Sequence, residues 1–172
     1  VNLPKVSAYK LFVRGEDGKL RSAFASHQKP GLFYRERLMI TVDEEDKTFF
    51  AFEFKEQAFS FASATHDRIV DRWGAASTWD IAVGERIVLP VTLFNVVRKG
   101  KVIVPSDDPQ CLDGRYSAFE AKQIIVHDSQ EACREFYDYI LGRYLHTRVH
   151  SMNRTEIDAF KHVVPELAPM LR

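Results

Sequence analysis

Two histidines four residues apart, His146 and His150, would stand about one turn apart on one face of an uninterrupted helix, a spacing that can present two imidazoles to zinc. In a hydrolytic zinc helix a glutamate follows the first histidine as general base, and Thr147 occupies that place here. His127 and His162 would join a ligand set only through a tertiary contact. The pair defines a third-ranked expectation, a zinc-dependent hydrolase. The plainer reading is two histidines near a helix C-terminus, where positive charge is favoured.

The two cysteines, Cys111 and Cys133, are too few for a disulfide framework or a four-cysteine zinc site. One bond between them is the most they can make. A nucleophilic cysteine needs a thiolate beside a histidine in an electropositive setting. Cys111 instead has Asp107, Asp108 and Asp113 near it in sequence, and Cys133 falls on the apolar stripe of a predicted helix, where an inert thiol is expected. The acidic pairs Glu44–Glu45 and Asp107–Asp108 read as solvated turns, because adjacency alone does not converge two carboxylates on a glycosidic bond.

Common nucleotide and acyl-transfer signatures are missing. The chain has 8 glycines and carries no phosphate-binding loop, no dinucleotide fingerprint and no nucleophile elbow around a serine. Lys plus Arg and Asp plus Glu both total 24, so there is no net positive charge of the kind that draws a dedicated duplex-DNA binder to phosphates. The phenylalanines Phe49, Phe50, Phe52, Phe54, Phe59 and Phe61 lack basic interleaving and read as core residues rather than a base-stacking platform.

One further constellation is ordered along the chain: Arg14-Gly15 at the end of an early strand, Ser77-Thr78 centrally, and Glu85 before the apolar run Ile87-Val88-Leu89-Pro90. In order and type it resembles the Arg, Ser-Thr and Glu elements of ADP-ribosyltransferases. The resemblance implies that Arg14 and Ser77 help to hold NAD and that Glu85 supports transfer from its ribose. It rests on scattered short matches over residues 9 to 92, and Arg86 separates Glu85 from the apolar strand that the family's Glu usually abuts.

The elements that would position these residues are legible from periodicity. Val6 to Arg14 and Leu20 to Ala25 flank Asp17-Gly18, a strong hairpin signal. Arg37 to Val42 and Phe49 to Phe54 read as a second hairpin across the acidic turn. From Lys55 the period changes, and Phe54, Ala58, Phe61 and Ala62 fall on one helical face. Ile87 to Val97 and Val102 to Val104 read as strands joined by a tight turn at Lys99-Gly100, with Pro90 favouring an edge, a bulge or a strand start. Tyr116 to Val126 is a last strand. Asp128 and Glu131 form a capping pair before the stripe Cys133, Phe136, Tyr137, Ile140, Leu141, Tyr144 and Leu145. Asn153 and Glu156 start a second helix that Pro165 stops.

Strands come first and helices last, so the expected fold is α+β: an antiparallel or mixed sheet of about six to seven strands, packed by one internal helix and a C-terminal helical segment. One globular domain over residues 1–172 is expected, strand-rich over 6–126 and helical over 128–165. No stretch is apolar enough to cross a bilayer, and Val1-Asn2-Leu3-Pro4 has no signal-peptide pattern. Because the initiator Met is missing, the chain reads as processed or cut from a longer one, and its compartment stays open.

The leading functional expectation is a non-catalytic recognition module with a protein partner and no cofactor. Trp73 and Trp79 and the Pro105 to Gly114 loop are its candidate binding residues. An NAD-using transferase built on Arg14, Ser77 and Glu85 is the alternative.

Overall fold

A computed structural model describes residues 5–24, 32–63, 68–69, 71–72, 79–80, 85–105 and 114–147. The chain runs β1 (Val6–Arg14), β2 (Leu20–Ser22), β3 (Ile40–Thr41), β4 (Phe49–Phe52), α1 (Lys55–Ser63), β5 (Arg68–Ile69), β6 (Asp71–Arg72), β7 (Trp79–Asp80), β8 (Glu85–Val104), β9 (Gly114–Val126) and α2 (Gln130–Thr147). This is the expected α+β architecture, with a seven-stranded sheet whose named strand pairings are all antiparallel. Strands β5 and β7 pair separately.

The first hairpin forms as its turn residues dictate. The Gly18 amide donates to the Gly15 carbonyl and the Gly15 amide to Lys19, while Gly18 adopts φ 75°, the left-handed position of a three-residue hairpin loop. The second hairpin does not form. Both β3 and β4 run antiparallel to β9, Ile40 facing Ile124 and Phe49 facing Ala121, so they lie end to end on one edge of β9 and point the same way. Two strands pointing the same way cannot make a hairpin with each other.

The Lys99-Gly100 turn is also absent. Gly100 faces Ala118 within a continuous ladder, and β8 runs unbroken for 20 residues. Its only irregularity is a register shift between Val96 and Arg98, next to Asn95 at φ 53°, which bends the strand without reversing it. Pro90 fits this ladder for a local reason. Its carbonyl accepts from the His127 amide just past the end of β9, and a strand residue's nitrogen points to the same side, so the missing donor faces a place where β9 has already ended.

The pairings close on themselves: β1 pairs with β8, β8 with β9, β9 with β4, and β4 back to β1 through Tyr9 and Phe52. Phe24, Phe50, Phe52, Phe61 and Tyr116 interlock through edge-on and tilted ring contacts, the last at 5.9 Å from Phe52 and 6.2 Å from Phe61. Five of the six phenylalanines read as core are buried, and Phe54 is 50% exposed. Its carbonyl accepts from the Ala58 amide, so it sits at the helix boundary rather than on the buried face of α1, which is made by Ala58, Phe59, Phe61 and Ala62.

Helix α2 buries Ala132, Phe136 and Ile140, and Phe59 of α1 meets Phe136 at 5.4 Å between ring centres. Leu141, expected on the buried stripe, is exposed. The cap falls one residue later than expected, because the Ser129 hydroxyl accepts from the Ala132 amide while Asp128 is engaged by Arg14. No helix among the described residues is long and apolar enough to cross a membrane. Phe136→Ala removes a fully buried ring that joins the two helices, and a loss of about 3–5 kcal/mol is expected in urea unfolding. A loss below about 1 kcal/mol would mean that α2 contributes little to the core.

Candidate functional site

The register between β1 and β8 brings two of the sequence candidates together. Arg14, the last residue of β1, lies directly opposite Glu85, the first residue of β8. Their side chains do not pair with each other. The Arg14 guanidinium lies 3.6 Å from Asp128 and also donates to the Gly18 carbonyl at 3.4 Å, while Glu85 accepts from the Tyr137 hydroxyl at 3.1 Å.

These contacts attach the strand ends to the start of α2. β9 ends at Val126, the His127 amide bonds to Pro90, and His127 Nε2 meets the Thr92 hydroxyl at 2.9 Å. The chain thus leaves the sheet tethered to β8, and Asp128 arrives beside Arg14. Asp128 Oδ1 also lies 3.7 Å from the Cys133 sulfur.

An open-sided cavity of about 640 Å³ lies against this cluster, lined by Asp128, Ser129, Gln130, Glu131, Cys133, Arg134 and Tyr137. Glu131 is exposed and makes no ion pair among the described residues, whereas Arg134 is drawn along the helix to Asp138 at 3.8 Å. Among the described residues, Glu131 is the carboxylate of this lining without a cationic partner, and Glu85, which accepts from the Tyr137 hydroxyl, has none either.

Cys133 is a free thiol, and its pKa is raised, first by burial and then by the adjacent Asp128 carboxylate. A thiol held protonated is a poor nucleophile.

Of the other candidates, Trp73, Ser77, Cys111 and His150 lie outside the described residues, as do the second predicted helix and all but the ends of the Pro105 to Gly114 loop. The Trp79 main chain is in β7 and that of His146 is in α2, with their side chains outside the description. No group of three metal-ligating side chains occurs among the described residues. Tyr137 was legible only as part of an apolar stripe. The available signal was its hydroxyl, which a half-buried tyrosine must satisfy.

No protein-family model, curated protein or solved structure matches this chain.

Asp128→Asn, made in a Cys111→Ser background so that one thiol reports, removes the carboxylate that opposes the Cys133 thiolate. Alkylation by iodoacetamide at pH 8 is expected to quicken several-fold, as the pKa falls toward the ordinary range near 8.5. An unchanged or slower rate would show that burial alone governs the thiol.

Proposed function

We propose that this chain is a non-catalytic recognition module, and that the cavity at the start of α2 accepts a basic side chain from an extended segment of a partner protein. The observation that carries this reading is the charge arrangement around the cavity. Arg14 is engaged by Asp128 and Arg134 by Asp138, while among the described residues Glu131, and Glu85 behind the Tyr137 hydroxyl, have no cation. An arginine or lysine entering the cavity would meet the Glu131 carboxylate, with the Tyr137 hydroxyl, which donates to Glu85, and the Ser129 hydroxyl and Gln130 amide as further hydrogen-bonding groups. Charge-assisted contacts of this kind give specificity and orientation. The protonated thiol of Cys133 supports binding over nucleophilic chemistry at the same place.

A display selection of random peptides on the immobilised protein tests this reading. Enriched peptides should share a basic residue, and Glu131→Lys together with Tyr137→Phe should weaken them by about tenfold or more. Enrichment of acidic or purely apolar peptides, or binding indifferent to both substitutions, would overturn it.

The second reading is the NAD-using transferase, favoured by one specific observation: Arg14 and Glu85 are cross-strand partners. It requires Arg14 to leave Asp128 for a pyrophosphate in a cavity rimmed by carboxylates. Calorimetric titration with NAD separates the two readings. Saturable binding lost in both Arg14→Ala and Glu85→Ala, with folding intact, would move the transferase to first place.

A further inference from the structure

Lys10 lies in the middle of β1 with 1% of its surface exposed. Its ammonium nitrogen is 2.6 Å from the Phe50 carbonyl and lies 5.5 Å from the centre of the Phe24 ring and 5.9 Å from that of Phe12. An ammonium has three donors, and among the described residues one carbonyl meets them. The two aromatic faces offer partial compensation for lost hydration and no full counter-charge.

The position of this group matters more than its burial. The ring of strands closes between β1 and β4, where the ladder consists of one residue pair, Tyr9 opposite Phe52. On its other side β1 is held to β8 by nine consecutive pairs. The contact between Lys10 and Phe50 is thus a second link between β1 and β4 beside that pair. We infer that Lys10 makes this closure acid-sensitive: the neutral amine stays inside the ring, whereas the protonated one drives local separation of β4 from β1 so that its charge can reach water.

The groups packed around Lys10 are mostly apolar. β8 faces it with Leu89, and β4 and residue 24 present phenylalanine rings. Tyr34, packed on Phe12 at 5.0 Å, has its phenol pushed up by burial and stays neutral through the neutral range. Glu120, from β9, stands opposite Phe50 in the ladder. On α1, packed against β1, Glu56 sits in the first turn and Lys55 is paired with Glu135. Burial alone lowers the Lys10 pKa to about 7.

The sign follows from linkage. The folded pKa is depressed below the ordinary lysine value, so the closed form binds fewer protons than the opened one between about pH 7 and 10.5. Closure therefore strengthens as pH rises through that window, and below about 7 both forms are protonated and the dependence flattens. For an opening that restores ordinary lysine hydration, the opening constant at pH 5.5 should exceed that at pH 8.5 by about thirtyfold.

Amide hydrogen exchange on the whole chain, corrected for the intrinsic effect of pH, reads this directly. Amides of Phe50 and Phe52 should lose about thirtyfold in protection between pH 8.5 and 5.5, while those of Leu93 and Ile124 in the long ladder keep theirs. Lys10→Met should abolish the difference. The inference fails if protection in β4 is indifferent to pH, if the ladder amides change equally, or if Lys10→Met retains the effect. Should that variant not fold, the side-chain carbon resonance of Lys10 followed by NMR decides the matter. A midpoint near 7 sustains the inference, and one in the ordinary lysine range near 10.5 overturns it.

Discussion

The ladder between β8 and β9 is the constraint on which the rest of the structure depends. It pairs Val91–Val104 with Gly114–Val126 in one antiparallel run, interrupted by a single shift beside Asn95. β1 is laid on the first half of β8, and β3 and β4 share the opposite edge of β9. A slip of one residue in this ladder would turn Val102, Val104, Ala118 and Ile124 to the opposite face and would misplace each strand that uses it as a template. The bulge is part of that specification. It adds a residue and twist at one point, and so lets a strand too long for one flat layer pair with β1 at one end and β6 at the other.

The candidate site is a consequence of where this ladder stops. β9 ends opposite Val91, close to the first residues of β8, and α2 begins four residues later. The N-terminus of α2 is therefore delivered to the place where β1 ends and β8 starts. Arg14 and Glu85 are brought to that corner by register, Asp128 by the turn, and Cys133 and Tyr137 by the helical repeat. The same economy of contacts leaves β4 weakly joined to β1, and a buried lysine lies at that seam.

Local signals in the chain were reliable where local physics decides. Asp17-Gly18 specifies a turn that only a left-handed glycine completes, and the change of period at Lys55 marks α1. Non-local pairing was less legible. Lys99-Gly100 has turn-forming residues, yet twelve pairs to β9 outweigh a turn propensity. The segments 37–42 and 49–54 alternate as a hairpin would, and nothing in their own residues reveals that both prefer β9.

At the site, Arg14 and Glu85 were visible as members of an ordered constellation, but their juxtaposition needed the β1–β8 register. Asp128 read as a helix cap because aspartate commonly is one, and only the tertiary partner Arg14 explains why Ser129 takes that role. Lys10 gave no warning. A lysine inside a β-rich run reads as a solvent-facing position, and its burial follows from closure of the ring above it.

The ligand proposed for the cavity at the start of α2 is a basic group. Titration of isotope-labelled protein with arginine amide, followed through backbone amide shifts, tests it most directly. Saturable shifts centred on Gln130, Glu131, Cys133 and Tyr137 are expected, with the far end of the β8–β9 ladder unmoved. Shifts that do not saturate, or that centre away from α2, would contradict it.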